Sequence, residues 1–277
     1  MQIKNLLYSA VHQLSTASKT PRLDAELLLA YVLNKDRAYL FSSPEYCVNP
    51  EQYEIWKNLL AQRQQKIPMA YLLGQKEFWG MMLEVNPHVL IPRPETEQFL
   101  EIVLNNKYNT AAVSVLDLGT GSGALALAMA KERKNWCITA VDRSIDALNV
   151  AKRNAAKHGL NNIVFLCSDW FSELSSLTFD IIVSNPPYIA PDDMHLWTEE
   201  IYHEPREALV SLDHGLADIK NIIVNSRDHL NPDGYLFIEH GWQQGEKVRK
   251  LFDAHAYFDS QTFRDLSDID RVTMARF

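Results

Sequence analysis

At 277 residues and 47% hydrophobic content, the chain is long enough to bury a sizeable core in one large domain and a smaller one. No apolar run approaches the roughly 18 residues of a membrane span, and MQIKNLLYSAVHQL lacks the apolar core and cleavage site of a signal peptide. The formal net charge is −8, with 8 Lys+Arg against 6 Asp+Glu in residues 1–75 and 19 against 29 in the rest, so a phosphate-gripping surface is not favoured.

A cytoplasmic protein with no membrane partner and no direct nucleic-acid partner is therefore expected. The three cysteines, Cys47, Cys137 and Cys167, are an odd count at wide spacing. They read as free thiols in a reducing compartment, with Cys137 and Cys167 expected in the core. The nine histidines show no ligand-like spacing, so no structural metal is expected.

Residues 1–75 read as helices. Leu6, Leu7, Ala10, Val11 and Leu14 recur at helical spacing. Thr20-Pro21 and Asn49-Pro50 each read as an N-cap followed by proline at the first helical position. Between residues 76 and 92, Phe78, Met82 and Val85 on one side of Asn86-Pro87, with Val89 and Ile91 on the other, predict a hairpin linker. The IPRPETE segment, Ile91–Glu97, then reads as a helix start led by Pro94 with Glu97 in the first turn.

From about residue 113 the pattern alternates. The strand candidates are VSVLDLG, CITAVD, IVFLCSD, FDIIVSN, GYLFIEHG and RVTMARF, with amphipathic helices between most of them. This pattern predicts an α/β fold with a mostly parallel sheet covered on both faces, and a ligand site beyond the carboxyl ends of the strands.

Three such ends carry signals. Gly119, Thr120, Gly121, Ser122 and Gly123 follow the first strand and open a helix; glycines permit positive φ and close backbone approach to a ligand. Gly119, Gly121 and Ala124 also satisfy the dinucleotide pattern G-x-G-x-x-A. Asp142 ends the next strand, where a carboxylate can accept both hydroxyls of a ribose, although an N-cap role competes. Asp169 and Trp170 end the third; an acid can accept an adenine amine while the ring packs against the base, against the alternative of a core tryptophan. These residues point to an adenosine-bearing cofactor without deciding which.

Asn185-Pro186-Pro187-Tyr188 decides the chemistry. The prolines remove two backbone donors, leaving the Asn185 side-chain oxygen and the Pro186 carbonyl to accept the two hydrogens of an NH₂ group, while Tyr188 offers a flat face. An amide or aniline-type nitrogen is a poor nucleophile until such hydrogen bonds draw it towards tetrahedral geometry. That need belongs to methyl transfer from S-adenosylmethionine and not to hydride transfer. The segment is similar to the motifs of adenine-N6 DNA methyltransferases, of some RNA guanine methyltransferases and of protein glutamine methyltransferases.

Only 89 residues follow Tyr188, too few for a DNA target-recognition domain beside the rest of the sheet. In order along the chain, PMAYLLGQKEFWG, VLIPRPETE, DLGTGSGALALA, SNPPYI, EPREAL and DRVTMARF resemble the release-factor glutamine-N5 methyltransferases, the HemK/PrmC family, from near residue 1 to the end. The resemblance implies a class I S-adenosylmethionine-dependent methyltransferase, Rossmann-like with a seven-stranded mostly parallel sheet, behind a small N-terminal helical bundle. It implies a partner-recognising domain over 1–75, the linker over 76–92 and catalysis over 93–277.

It further implies a monomer that methylates the side-chain amide of the Gly-Gly-Gln glutamine in peptide-chain release factors and releases S-adenosylhomocysteine. By that resemblance Gly119 to Gly123 contact the methionine part of the cofactor, Asp142 its ribose and Trp170 its adenine. Asn185, Pro186, Pro187 and Tyr188 would hold the glutamine, with Arg93, Glu95 and Thr96 as further contacts. A related enzyme methylates a ribosomal-protein glutamine through the same motif; the intact Pro-Arg-Pro-Glu-Thr-Glu run favours the release-factor branch.

Overall fold

The structure is a computed structural model that describes residues 1–105, 112–197 and 201–277. Its residues group into two compact units, one of 1–75 with 197–203 and one of 76–196 with 204–277.

The first unit holds α1 (Ile3–Leu14), α2 (Pro21–Leu33), α3 (Arg37–Ser42), α4 (Pro50–Gln64) and α5 (Met69–Leu73). Ile3, Leu6, Leu7, Ala10 and Leu14 form one stripe of α1 and pack with Leu28, Leu29, Trp56 and Leu60. Asn49 caps α4 through a capping box, its side chain accepting from Gln52 N at 2.8 Å. Thr20 departs from the expected cap: α2 does begin at Pro21, but the threonine hydroxyl donates to Asp24 Oδ1 at 3.2 Å. The hydroxyl is turned to give its hydrogen to this carboxylate, and its oxygen accepts from no first-turn N–H. Asp24 also accepts from the buried Arg63 at 2.7 Å, fastening α2 to α4.

The second unit opens with β1 (Gln75–Phe78) and β2 (Met81–Glu84). This hairpin turns at Trp79-Gly80, where φ is 51° and 64°, the left-handed pair of a two-residue turn. The expected pivot, Asn86-Pro87, instead forms a separate turn in which Asn86 Oδ1 accepts from His88 N at 3.0 Å. Proline lacks the ladder donor, and the asparagine side chain takes over a backbone partner.

Then follow α6 (Pro94–Leu104), β3 (Ser114–Leu118), α7 (Ala124–Glu132), β4 (Cys137–Asp142), α8 (Ile145–Lys157), β5 (Ile163–Cys167) and β6 (Phe179–Ser184). After these come the single turn α9 (Leu212–Gly215), α10 (Ala217–Ser226), β7 (Leu230–Glu239), α11 (Gly245–Ala254), β8 (Phe258–Arg264) and β9 (Asp270–Arg276). The main sheet has seven strands in the order β5-β4-β3-β6-β7-β9-β8, with β9 antiparallel to both neighbours and the remaining pairs parallel.

Alternation along the central strands separates two cores. Val115, Ile181, Val183 and Phe237 face α6 and α7, while Leu116, Leu118, Ile182, Leu236 and Ile238 face α10 and α11. The strand order reverses between β3 and β6, which opens a crevice at their carboxyl ends. Cys137 and Cys167 are exposed and free, contrary to the core placement expected for them. One opens β4 and the other ends the edge strand β5, where a strand leaves its cover. Among the described residues, no helix is long and apolar enough to cross a membrane.

Candidate active site

A cavity of about 380 Å³ lies at the carboxyl ends of β3, β4, β5 and β6. Its size falls in the range of small-molecule sites. Gly119, Gly121, Asp142, Asp169, Trp170, Asn185 and Pro187 all line it, so it draws residues from every signal-bearing strand end.

One end is built from backbone. Gly119, Gly121 and Gly123 hold φ of 74°, 55° and 86°, where a side chain would be strained. A Cβ at Gly121 would meet nothing within 4 Å, so the backbone there is bare towards the cavity. Gly123 differs, since a Cβ would lie 2.9 Å from Leu127 Cδ1 and 3.1 Å from Ala151 Cβ; its bareness serves packing between α7 and α8. Thr120 and Ser122 are buried away from the cavity lining. The Thr120 hydroxyl donates to Asp117 at 2.7 Å, and the Ser122 carbonyl accepts from Asn154, which also clamps Glu84 of the hairpin.

Asp142 accepts from Gly121 N and Ser144 N, both at 2.9 Å. Ser144, not Asp142, caps α8 by accepting from Ala147 N. Two acceptor sites of the Asp142 carboxylate thus lock the loop, and a carboxylate has further lone pairs for hydroxyl donors. Burial pushes the Asp142 carboxyl up, opposed by the N–H groups of Ser144 and Gly121. Deeper still, burial pushes Asp117 up to about 7. Trp170, at φ 50°, is half-buried and sets its ring edge 3.7 Å from where a Gly119 Cβ would stand; Asp169 beside it is exposed. Bare loop backbone, a free-faced carboxylate and an aromatic wall fit an adenosine-bearing ligand.

The other end is built from side chains. Asn185 Nδ2 lies 3.4 Å from Thr96 Oγ1 on α6, and Thr96 Oγ1 donates to Glu239 Oε2 at the end of β7 at 2.9 Å. Pro186 is buried and does not line the cavity, and neither does Tyr188. The Tyr188 carbonyl accepts from Gln244 Nε2 at 3.0 Å, and burial raises its phenol well above the usual range. Gly215 permits this approach, as a Cβ there would lie 2.0 Å from the Tyr188 carbonyl oxygen. Arg93 pairs with the buried Glu204, which also accepts from Ile91 N at 3.0 Å, so the arginine fastens the segment after residue 203 to the start of α6. Glu95 is exposed in the first turn of α6.

The whole chain has close relatives. A methyltransferase-domain model matches residues 109–271, and a PrmC N-terminal domain model matches residues 5–74. The chain is similar to the release factor glutamine methyltransferase of Salmonella typhimurium, at 47% identity over 100% of this chain and 99% of the relative. The enzyme of that name from Shewanella oneidensis is 44% identical over 99% and 96%. The chain belongs to the release factor glutamine methyltransferase family. Its fold is that of class I S-adenosylmethionine-dependent methyltransferases, and it is an enzyme of that class. A T. thermophilus 16S rRNA methyltransferase solved with AdoMet and guanosine shares this fold, with a TM-score of 0.54 at 22% identity over 73% of this chain and 49% of that one.

Two parts of the methyltransferase site escape a reading by motif. Glu239 lies inside the apolar run GYLFIEHG, where its charge was the only signal. Pro87–Leu90, and Pro205, Glu207, Ala208 and Val210, line the cavity from segments that overlap VLIPRPETE and EPREAL, which carry the family resemblance but no chemical pattern of their own. Among the described residues no cluster of His, Cys, Asp and Glu could hold a metal ion.

Proposed function

We propose that this methyltransferase moves a methyl group from S-adenosylmethionine to the side-chain amide nitrogen of the Gly-Gly-Gln glutamine in peptide-chain release factors. The observation that carries it is Asn185 on the wall of the same cavity that Gly119, Gly121, Asp142 and Trp170 line. The names of the relatives supply the substrate.

When bound, S-adenosylmethionine supplies a methyl on a positively charged sulfur and leaves as S-adenosylhomocysteine. Of the loop Gly119 to Gly123, the cavity-lining Gly119 and Gly121 would hold its methionine part, while Thr120, Ser122 and Gly123 shape the loop; Asp142 would take the ribose hydroxyls, and Trp170 with Asp169 the adenine. Asn185 Oδ1 and the Pro186 carbonyl would accept the two N–H groups of the glutamine amide, with Pro187 as the adjoining wall; Tyr188, which does not line the cavity, would support that wall through its bond to Gln244. These acceptors orient the nitrogen lone pair and pull it out of conjugation; orientation of two bound reactants contributes up to ~7–11 kcal/mol in favourable cases. A strong base is not needed, because the amide proton becomes acidic only as the N–CH₃ bond forms, and water can take it.

Recognition of the release factor falls to residues 1–75, with 76–92 as linker and 93–277 as catalytic domain. Tyr8, Tyr31, Phe41 and Tyr46 are exposed on the first unit, an aromatic supply suited to a protein partner. The enzyme acts as a monomer in the cytoplasm, on protein and not on nucleic acid. Incubation with labelled S-adenosylmethionine and, separately, a release factor, a ribosomal protein and DNA tests it. Label on the release-factor glutamine is expected; label on DNA or ribosomal protein alone, or no binding of S-adenosylmethionine by calorimetry, overturns it.

A further inference from the structure

Asn185 can serve as an acceptor only in one of its two orientations. Turned by 180°, the carboxamide would offer Nδ2, a donor, to a substrate NH₂ that has only hydrogens to give. Something must therefore select the orientation. An ionised Glu239 can only accept, so the 2.9 Å contact from Thr96 Oγ1 uses the single hydrogen of that hydroxyl. Towards Asn185 the threonine oxygen is then an acceptor only, and the one donor an asparagine side chain can bring is Nδ2, found 3.4 Å away. Thr96 and Glu239 are both nearly fully buried, so water does not compete for these bonds.

The geometry points to Thr96 and Glu239 as positioning residues that hold Nδ2 of Asn185 and thereby turn its Oδ1 to the substrate amide. This rests on the methyl-transfer reading above and replaces the expected role of Thr96 as a substrate contact.

Four charged or titratable groups decide the state of this relay. Burial pushes Glu239 up to about 7, against the hydrogen bond from Thr96 and the charge of Arg271 on β9, while Glu95 on α6 pushes the same way as burial. Tyr188, after β6, is held neutral by its own burial. Below its pKa Glu239 gains a hydrogen and can donate to Thr96. The threonine hydrogen is then free to point at Asn185 Oδ1, and the preference for one orientation is lost. Turnover should accordingly fall as pH drops through about 7.

Full-length Thr96→Val, Thr96→Ser and Glu239→Gln test this with release factor and labelled S-adenosylmethionine across pH. Thr96→Val should lower kcat roughly 10- to 100-fold, the scale of misplacing a reacting group by an ångström. KM for the release factor should stay within about 3-fold, and Thr96→Ser should recover kcat to within about 3-fold of wild type. Glu239→Gln should be slow at every pH and lack the acid limb expected of wild type near 7. A readout without turnover is the ¹⁵N side-chain amide signal of Asn185, assigned by its disappearance in Asn185→Ala. It should shift in Thr96→Val and hold its place in Thr96→Ser. Wild-type kcat in Thr96→Val, an unmoved amide signal, an acid limb kept by Glu239→Gln, or Thr96→Ser as slow as Thr96→Val at wild-type melting temperature would each overturn the relay. A wild-type enzyme that labels no release factor refutes the proposed substrate instead, while the amide signals still decide the positioning.

Discussion

The two ends of the cavity are made of different material. At the glycine-loop end, neighbouring strands β3 and β4 present backbone, and Asp142 reaches Gly121 across only 21 positions of sequence. At the Asn185 end, the contacts join side chains 89 and 143 positions apart, from α6, β6 and β7. Both ends hide a carboxyl pushed up to about 7, Asp117 beneath the loop and Glu239 beside Asn185. The first sits under a loop whose glycines hold positive φ, where an added Cβ is strained; the second sits in a chain of side-chain hydrogen bonds.

The strongest attempt to break this division is Asn185→Ala. Methyl transfer should fall by at least ~100-fold, the scale of removing a preorganised catalytic hydrogen-bonding group, with cofactor affinity largely intact. Calorimetry with S-adenosylmethionine beside single-turnover label transfer separates the two quantities. Equal losses in both would mean that the ends are not separable. Asp142→Ala should do the reverse, weakening cofactor affinity by roughly 10-fold or more through lost charge-assisted hydrogen bonds, with turnover largely restored at saturating cofactor. Unchanged affinity would leave Asp142 as no more than the lock on Gly121 and Ser144.

A third change probes the buried carboxyl of the loop end. Because the folded-state pKa of Asp117 is raised to about 7, the folded protein keeps its proton where the unfolded chain has lost it. The stability tied to that proton is full below the ordinary carboxylate pKa and is lost as pH rises through about 7. Asp117→Asn has no such proton to lose. Its melting temperature relative to wild type should rise by roughly 2–6 °C between pH 5 and pH 8, and a constant gap would show that Asp117 is charged throughout.

What the sequence disclosed follows the same division. Gly119, Gly121, Asp142 and Asn185 were legible as cavity-lining positions because each stands at or just after the end of an apolar strand, and a parallel sheet collects such ends in one place; Thr120, Ser122 and Gly123 share the same signal but do not line the cavity. The architecture was legible for the same reason, with six of the seven strands readable as apolar runs. The exception, β8, has the sequence FDSQTFR on an exposed edge, where half-buried positions blur the period. Glu239 was not legible as a site residue, since its role arises from a pairing across 143 positions that no local pattern encodes. The hairpin pivot was misplaced because Asn-Pro is a strong turn signal, whereas Trp79-Gly80 turns with a bulky residue at positive φ.

The smallest expected effect separates two glycines that the sequence presents as equals. Gly123→Ala places a methyl 2.9 Å from Leu127 Cδ1 and 3.1 Å from Ala151 Cβ, at a φ of 86° that alanine resists. The clash is within the core, so the cost should appear as stability, about 1–2 kcal/mol in a denaturant titration, with cofactor affinity little changed once the protein is folded. Gly121→Ala meets open space and bears only the conformational strain of φ 55°, again roughly 1 kcal/mol. Yet Gly121 lines the cavity, so its new methyl should stand where the ligand approaches and weaken cofactor binding as well. The informative quantity is the ratio of lost affinity to lost stability, which should be large for Gly121→Ala and near nothing for Gly123→Ala. Equal ratios would mean that both glycines serve only the turn, and that the loop end holds its ligand by means other than bare backbone.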